Sequence, residues 1–362
     1  MRRLLAGAAL LLLGSLACSA DPLRLATFNT ELSRKGPGLL LRAIQRGDDP
    51  AVRAVIQVIA RNNPDILVLQ GVDWDHENRA VRALVKQLAK IGVDYPHMFS
   101  AQPNAGLATN LDLNGDGRLG GPEDAQGFGA FTGQSGMAIL SRHPIKTAQI
   151  VDYSATLWLD LPGAIPPTHP DGNPFPSAEA MERQRLPSVA IWAVPVTRAD
   201  GSDLTVLAFQ AGPPVFDGPE DRNGRRNHDE LQLLRQIVRR EFGPALTGDI
   251  VLAGGANLDP CDSDGRTQAI VDLLAETRLQ DPAPRSSGAA AATAAPSACS
   301  DPALDTVDWP GIGKFRVDYI LPSVGMRVVN TGVFWPTPDQ ADGQLAQQAS
   351  RHRLVWVDLA AD

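Results

Sequence analysis

The chain has 362 residues, 43% of them apolar, enough to bury a sizeable core in one large domain or two small ones. Its formal net charge is −8 and its lysines and arginines are scattered, so the sequence lacks the basic stripe that a non-specific nucleic-acid surface needs. Composition argues against a nucleic-acid partner and for a small one.

The first elements concern export. Arg2 and Arg3 precede an apolar run over residues 4–16, too short for a membrane span, and then the small residues Ala17-Cys18-Ser19-Ala20. This is the pattern of a signal peptide over residues 1–20, cleaved after Ala20. Residues 21–362 would then be exported, periplasmic or secreted, as a monomer. Lipidation at Cys18 is the alternative, although Ser15 stands where such signals usually carry leucine. The mature chain keeps Cys261 and Cys299. In an exported protein these are either two free thiols or a disulfide that pins the loop between them.

Residues 23–28 read as a strand leading to Asn29, and residues 37–46 as a short helix carrying Leu40, Leu41 and Ile44. Asp49 caps the next helix and Pro50 takes its first turn, with Val52, Val55, Ile56 and Ile59 at helical spacing. Residues 65–70 form a second buried strand and residues 76–91 a helix. A polar, Gly-rich insertion follows at about 100–135. Residues 137–140 are a strand, and residues 161–187 a proline-rich irregular stretch. Residues 191–196 and 204–209 read as a strand pair around Ala199-Asp200-Gly201-Ser202. Residues 227–241 predict a helix that His228 opens as a capping or surface residue. Residues 268–274 are helical. Residues 286–300 are rich in Ala and Ser and read as surface loop, inside a flexible stretch at about 283–306. Residues 315–321 and 353–359 are the last strands.

Within the insertion, Asp112-Leu-Asn114-Gly-Asp116-Gly117-Arg118-Leu-Gly-Gly-Pro-Glu123 fits the twelve-residue calcium loop at every required position. Asp112, Asn114 and Asp116 would offer side-chain oxygens, Arg118 its carbonyl and Glu123 both carboxylate oxygens. Leu119 takes the usual apolar position. The flanks do not read as paired helices, so the expectation is a loop stapled by Ca²⁺ and not a helix–loop–helix sensor.

The organising stretch is Ile250-Val-Leu-Ala-Gly-Gly-Ala-Asn-Leu-Asp-Pro260, a buried strand stopped by two glycines, with Asn257 and Asp259 in the turn. Polar groups just past the carboxyl end of a buried strand are the usual active-site position of α/β proteins. The stretch resembles the Gly-Asp-x-Asn turn of the endonuclease/exonuclease/phosphatase superfamily, the metal-dependent phosphoesterases related to deoxyribonuclease. Four further segments resemble that superfamily in its own order. They are Leu-Ala-Thr-Phe-Asn-Thr at 25–30, Leu-Val-Leu-Gln at 67–70, Phe-Arg-Val-Asp-Tyr-Ile-Leu-Pro-Ser at 315–323, and Ser-Arg-His-Arg-Leu-Val-Trp-Val-Asp at 350–358. Gly-Met-Ala-Ile-Leu-Ser-Arg at 136–142 looks like the middle strand.

The resemblance implies a four-layer αββα sandwich of two packed mixed sheets with outer helices. It also implies a carboxylate-held divalent cation, Mg²⁺ or Mn²⁺ in an active member, that neutralises phosphate while water attacks and a histidine–aspartate pair stabilises the transition state. Asn29, Asn257, Asp318 and His352 match the family's catalytic positions. Gly71 stands for the metal-binding glutamate, Gly255 for the aspartate that orients water, Arg351 for the aspartate before the last histidine, and Gln210 for a histidine on the phosphate. Losing one such contact costs roughly 100- to 1000-fold in rate. Asp73, Asp75 and Asp259 are either relocated metal ligands or solvated turn carboxylates. Three readings follow. The first is a pseudoenzyme whose cleft binds a small phosphorylated ligand, with Arg351 and Gln210 on the anion. The second is an active phosphoesterase with relocated ligands, and the third a structural exported domain. Gly71→Glu, Gly255→Asp and Arg351→Asp together are expected to restore some metal-dependent hydrolysis if the cleft geometry survives.

Overall fold

A computed structural model describes residues 21–292 and 298–360; the signal-peptide reading concerns residues 1–20 and lies outside them. The strands are β1 (Leu23–Asn29), β2 (Ile66–Val72), β3 (His97–Phe99), β4 (Gly136–Ser141), β5 (Val151–Asp152), β6 (Ala190–Thr197), β7 (Asp203–Gln210), β8 (Asp249–Gly255), β9 (Val307–Trp309), β10 (Gly313–Phe315), β11 (Asp318–Pro322), β12 (Val328–Val333) and β13 (Val355–Leu359). The helices are α1 (Leu39–Arg46), α2 (Pro50–Asn62), α3 (Arg79–Ala89), α4 (Ala178–Arg183), α5 (Arg222–Arg239), α6 (Gln268–Leu274), α7 (Ser287–Ala292) and α8 (Gly343–Ala349).

Two mixed sheets carry the fold. One has the order β12-β13-β1-β2-β4-β3 and the other β11-β8-β7-β6-β5; β9 and β10 form a small separate hairpin. In each large sheet one parallel pair, β1 with β2 and β7 with β8, sits among antiparallel neighbours. The inner faces meet in a dry core that includes Leu25, Val68, Ile139, Trp192, Val206, Val251, Ile320 and Val357. Helices α1, α2 and α3 cover the outer face of the first sheet with Leu40, Ile44, Val55, Ile59 and Leu84. Helices α5 and α6 cover the second with Leu231, Leu234, Ile237 and Ile270. This is the αββα sandwich. Strands buried on both faces read as continuous apolar runs, and β2 is buried at every position for that reason.

Local chemistry sets several ends. Asp49 caps α2 by accepting the Val52 N–H at 3.1 Å, and Pro50 fills the first turn. The helix expected over residues 76–91 is shorter, because Glu77 and Asn78 take positive φ and α3 starts only at Arg79. Helix α5 begins at Arg222, so His228 lies inside it and does not open it. The stretch expected to be flexible loop contains α7, whose Gly288 and Ala289 are buried. Cys261 and Cys299 are joined in a disulfide with Cα atoms 5.9 Å apart. Among the described residues no helix is long and apolar enough to cross a membrane.

Candidate active site

Four strands end at one rim. Asn29 closes β1, Gln70 and Gly71 lie at the end of its parallel neighbour β2, Gln210 closes β7 and Gly255 closes β8, with Asn257 just beyond. The registers Asn29↔Gln70, Gln210↔Gly255 and Asp318↔Gly255 set these residues level. Strands β11 and β13 run the opposite way, so their beginnings reach the same rim: Asp318 starts β11 and His352 precedes β13.

His352 and Asp318 form a buried pair. His352 Nδ1 lies 2.8 Å from Asp318 Oδ2, which also accepts the Thr306 hydroxyl at 2.8 Å. With Nδ1–H donating to the carboxylate, Nε2 is left as the acceptor that faces Asn29 Nδ2 at 3.4 Å. Asp318 Oδ1 is buried with no protein partner. Trp309 meets the imidazole edge-on, with ring centroids 5.7 Å apart.

Arg351 does not offer a free fork. Its Nε and Nη2 donate to Glu31 Oε1 at 2.9 and 2.5 Å, its backbone N–H donates to Oε2 at 2.8 Å, and the Ser350 hydroxyl lies 3.1 Å from Oε2. Burial alone would raise the Glu31 carboxyl, but the hydrogen bonds from Arg351 and the nearby His352 hold it below the usual value. The same pairing pushes Arg351 above its ordinary value.

The two glycines at the rim are occupied differently. A Cβ on Gly71, whose φ is +69°, would lie 2.5 Å from Asn29 Oδ1 and 2.8 Å from the Glu31 backbone nitrogen. A Cβ on Gly255 would lie 2.4 Å from Gln210 Oε1, the end of a flexible side chain. Gln210 fills that space. Its Nε2 donates to the Ala211 carbonyl at 3.2 Å, and its Oε1 is buried without a partner. The Asn257 amide braces the turn by donating to the Ala211 carbonyl at 2.8 Å.

The other carboxylates are committed to backbone. Asp73 accepts from Ser33 Oγ, Arg34 N and Ser135 N, and burial raises it above the usual range despite those donors. Asp75 accepts the Arg79 and Ala80 N–H groups at the start of α3. Asp259 spends one oxygen on the Cys261 and Asp262 N–H groups and the other on that of Arg316. These residues therefore hold turns together. His228 pairs with Asp229 at 2.8 Å, and Asp229 in turn anchors Trp158 and Ile165.

Two cavities open at the rim. One of about 650 Å³ is lined by Asn29, Gly71, Gln210, Asn257, Arg222 and Asn223 among others. Arg222 donates to Gln184 Oε1 at 3.2 Å, and among the described residues no carboxylate lies within ion-pair distance of it. Burial pulls its pKa down, with Glu220 and Asp217 opposing at longer range. A second cavity of about 340 Å³ is lined by Glu31, Arg351, His352, Trp309, Ile312 and Phe216 among others. Phe216 is 82% exposed at a φ of +75°.

The insertion loop folds on its own amides. Asp112 accepts the N–H groups of Gly115, Asp116 and Gly117, Asn114 that of Asp116, and Asp116 that of Arg118. Asp124 closes the loop by accepting from Leu113 and Gly121, while Glu123 lines the larger cavity beside Asn114. Leu119, at the usual apolar position of such a loop, is 68% exposed, whereas Leu113 is buried.

Sequence reasoning missed Glu31 and Arg222. Glu31 follows the Asn29 motif directly but gains meaning only through Arg351, 320 positions away. Arg222 begins Arg-Asn-Gly-Arg-Arg, whose Asn-Gly reads as a turn and hid the helix start.

The residues do not fit a family-type divalent cation. Among the described residues the one group of three His, Cys, Asp or Glu ligand atoms within 4.8 Å is Asp262 with the bridged Cys261 and Cys299. The glutamate position is a glycine closed off by Asn29 and the Glu31 backbone, and Glu31 itself is held by a guanidinium.

An αββα sandwich with a histidine–aspartate pair and asparagines at the shared rim defines a phosphoesterase-like class of fold. The family model described as Endonuclease/Exonuclease/phosphatase family matches residues 26–352, and the chain belongs to that family. No curated protein matches it in sequence. Among solved structures it is similar to an endonuclease/exonuclease/phosphatase from Beutenbergia cavernae DSM 12333, at 20% identity and a TM-score of 0.55 over 94% of this chain and 72% of that one. It is also similar to an endonuclease/exonuclease/phosphatase family protein from Leptotrichia buccalis C-1013-b, at 16% identity and a TM-score of 0.53 over 94% and 100%. Likeness at this level concerns the fold.

Proposed function

We propose that the rim cleft binds a small phosphorylated molecule with little or no hydrolysis. The observation that carries this reading is Arg222, a guanidinium on the wall of the 650 Å³ cavity with a neutral amide as its hydrogen-bond partner. A phosphate suits the unused donors of such a fork. Asn29, Gln210 and Asn223 supply neutral polar groups around it. Gln210, on the wall of the same cavity, has a side-chain oxygen without a protein partner, an acceptor for a ligand's hydroxyl or amine. Weak turnover follows from what the rim lacks: no carboxylate stands at positions 71, 255 or 351.

The test pairs calorimetry with turnover. Inorganic phosphate and simple phosphomonoesters should bind, and Arg222→Ala should weaken binding by about 10- to 100-fold, the usual worth of a charge-assisted contact. Plasmid DNA and model phosphodiesters should stay uncut above background in Mg²⁺, Mn²⁺ or Ca²⁺. The second reading is a metal-dependent hydrolase with relocated ligands, and the intact His352–Asp318 pair favours it. Metal-dependent turnover that His352→Ala abolishes would establish it.

Ca²⁺ in the loop of Asp112, Asn114, Asp116, Arg118 and Glu123 is a separate proposal. It rests on the complete twelve-position pattern. An export pathway, as residues 1–20 suggest, would carry the chain to a compartment where weak calcium sites fill.

A further inference from the structure

We infer that the smaller cavity seats an uncharged apolar group of the phosphorylated ligand, of the size of an aromatic ring, and that Phe216 closes over it. This rests on the reading of the larger cavity as a phosphate site.

The two cavities are one cleft with a shared wall: Pro213, Phe216 and Asn257 line both. Arg222 stands on one side of that wall. On the other, the lining includes Pro214, Val215, Trp309, Ile312 and Phe315. Trp309 and Phe315 are half-buried, with ring centroids 5.6 Å apart. Ile312 lies in the turn between β9 and β10, where its N–H donates to the Trp309 carbonyl at 2.9 Å, and it is 67% exposed. One exposed apolar side chain is ordinary. Phe216 and Ile312 matter because both border the same concave, aromatic-walled space. The charges in that space are of both signs: Arg351 seated on Glu31, and the carboxylates of Asp262 and Asp264. A cation would meet the guanidinium and an anion the two aspartates, so the group that suits the aromatic wall is neutral. At about 340 Å³ the space lies at the low end of small-molecule pockets.

Phe216 is presented at this boundary by fixed neighbours. Asn223 Nδ2 donates to the Val215 carbonyl at 2.8 Å, and the Asn223 N–H donates to the Asp217 carboxylate. Between these anchors Phe216 keeps its φ of +75°, a conformation that a bulky residue holds only where its surroundings impose it. Asn223 follows Arg222 at the start of α5 and lines the larger cavity. Two adjacent residues thus supply the guanidinium for the phosphate and fix the backbone that presents the ring. A ligand held at Arg222, with an apolar group reaching past the shared wall, would meet that ring. A side-chain rotation with no backbone change would then lay Phe216 on the group and take both out of water.

Calorimetry on the full chain compares inorganic phosphate, phenyl phosphate, glycerol 3-phosphate and 2-aminoethyl phosphate. Phenyl phosphate should bind at least about tenfold more tightly than each of the others. Phe216→Ala should cut that preference by about three- to tenfold, and Ile312→Ser, on the exposed turn, should cut it too. If Phe216→Ala does not fold, Phe216→Gly, which suits the positive φ, gives the same comparison. Equal affinity for phenyl phosphate and glycerol 3-phosphate, tighter binding of 2-aminoethyl phosphate, or a preference that survives both substitutions overturns the inference. Pelleting with phosphatidylcholine vesicles, or dimerisation that Phe216→Ala removes, in the absence of a phenyl preference, assigns the ring to a lipid surface or a second copy and overturns it as well. If none of the four probes binds, the phosphate reading fails and this inference with it. Phosphate binding that Arg222→Ala weakens, with no phenyl preference, overturns this inference alone.

Discussion

Gly71 shows how much a single position can carry. Its replacement of a glutamate was legible in the sequence because Leu-Val-Leu-Gln precedes it in a recognisable strand. What was not legible is that the vacancy is closed. The left-handed φ and the 2.8 Å approach to the Glu31 nitrogen make glycine a structural requirement there. Gly71→Glu should therefore destabilise the protein by roughly 2–4 kcal/mol, from strain at a positive φ plus a backbone clash. Thermal unfolding would show it as a drop in Tm of several degrees, and an unchanged midpoint would mean that the rim is more yielding than its geometry. The triple restoration at 71, 255 and 351 depends on a cleft geometry that survives it, and Gly71→Glu is the change that strains that geometry most. Gly255→Asp is milder, since it meets the mobile end of Gln210. Glu31 and Arg222 stayed hidden because a lone glutamate and a lone arginine have no local pattern; only the fold supplies their partners.

At the scale of elements, strong periodicity and caps were readable, and irregular backbone was not. Helix α2 carries both Asp49 and Pro50 at its start and was expected at its observed position. The helix from residue 76 was misplaced because Glu77 and Asn78 adopt left-handed conformations that no propensity signals. Strand β12 and helix α8 went unseen. The first mixes exposed Val329 and Asn330 with glycine, and the second lacks a side-chain cap. The insertion loop is the element whose pattern was sharpest. Its Asp112 and Asp116 already organise the loop amides, whereas Glu123 stands on the cleft wall. Ca²⁺ binding would draw Glu123 towards the loop. Millimolar Ca²⁺ should raise Tm by a few degrees relative to EDTA, as expected for a ligand that binds only the folded state, and Asp116→Ala should erase the difference. Identical midpoints in Ca²⁺ and EDTA for the unmodified protein would remove the calcium reading.

For the whole molecule, the layered architecture followed from strands that arrive both singly between helices and in consecutive pairs, and the two sheets bear this out. Its charge balance has a consequence for stability. Burial, then Asp259 and Asp262, push Asp305 up to about 7, and burial pushes Glu230 up to about 7 against the opposing Arg226. Both folded values lie above the ordinary carboxyl values of 3.8 and 4.5, so the folded protein holds more protons than the unfolded chain between those limits. Stability contributed by these groups is fully present below about pH 4 and is lost as pH rises through about 7. Asp305→Asn should flatten part of that fall and stabilise the protein at pH 8 by roughly 2 kcal/mol, measured by denaturant unfolding at pH 5 and pH 8. A variant as pH-sensitive as its parent would show that Asp305 is ionised without penalty.

One pairing has a bearing on how such a protein fails. Strand β1 lies between β2 and β13, with Leu23 opposite Leu359 and Thr27 opposite Val355, and β12 attaches only through β13. Residues near the two ends of the chain thus complete one sheet, and His352 is supplied by the same closing segment. A chain that stops short of residue 350 would lose β13, strand β12 its neighbour, and β1 the cover of its edge. An uncovered edge of this kind templates pairing with another chain. Truncated copies would be a source of aggregates and not of inactive soluble protein, so the segment that completes the cleft also guards the fold against self-association.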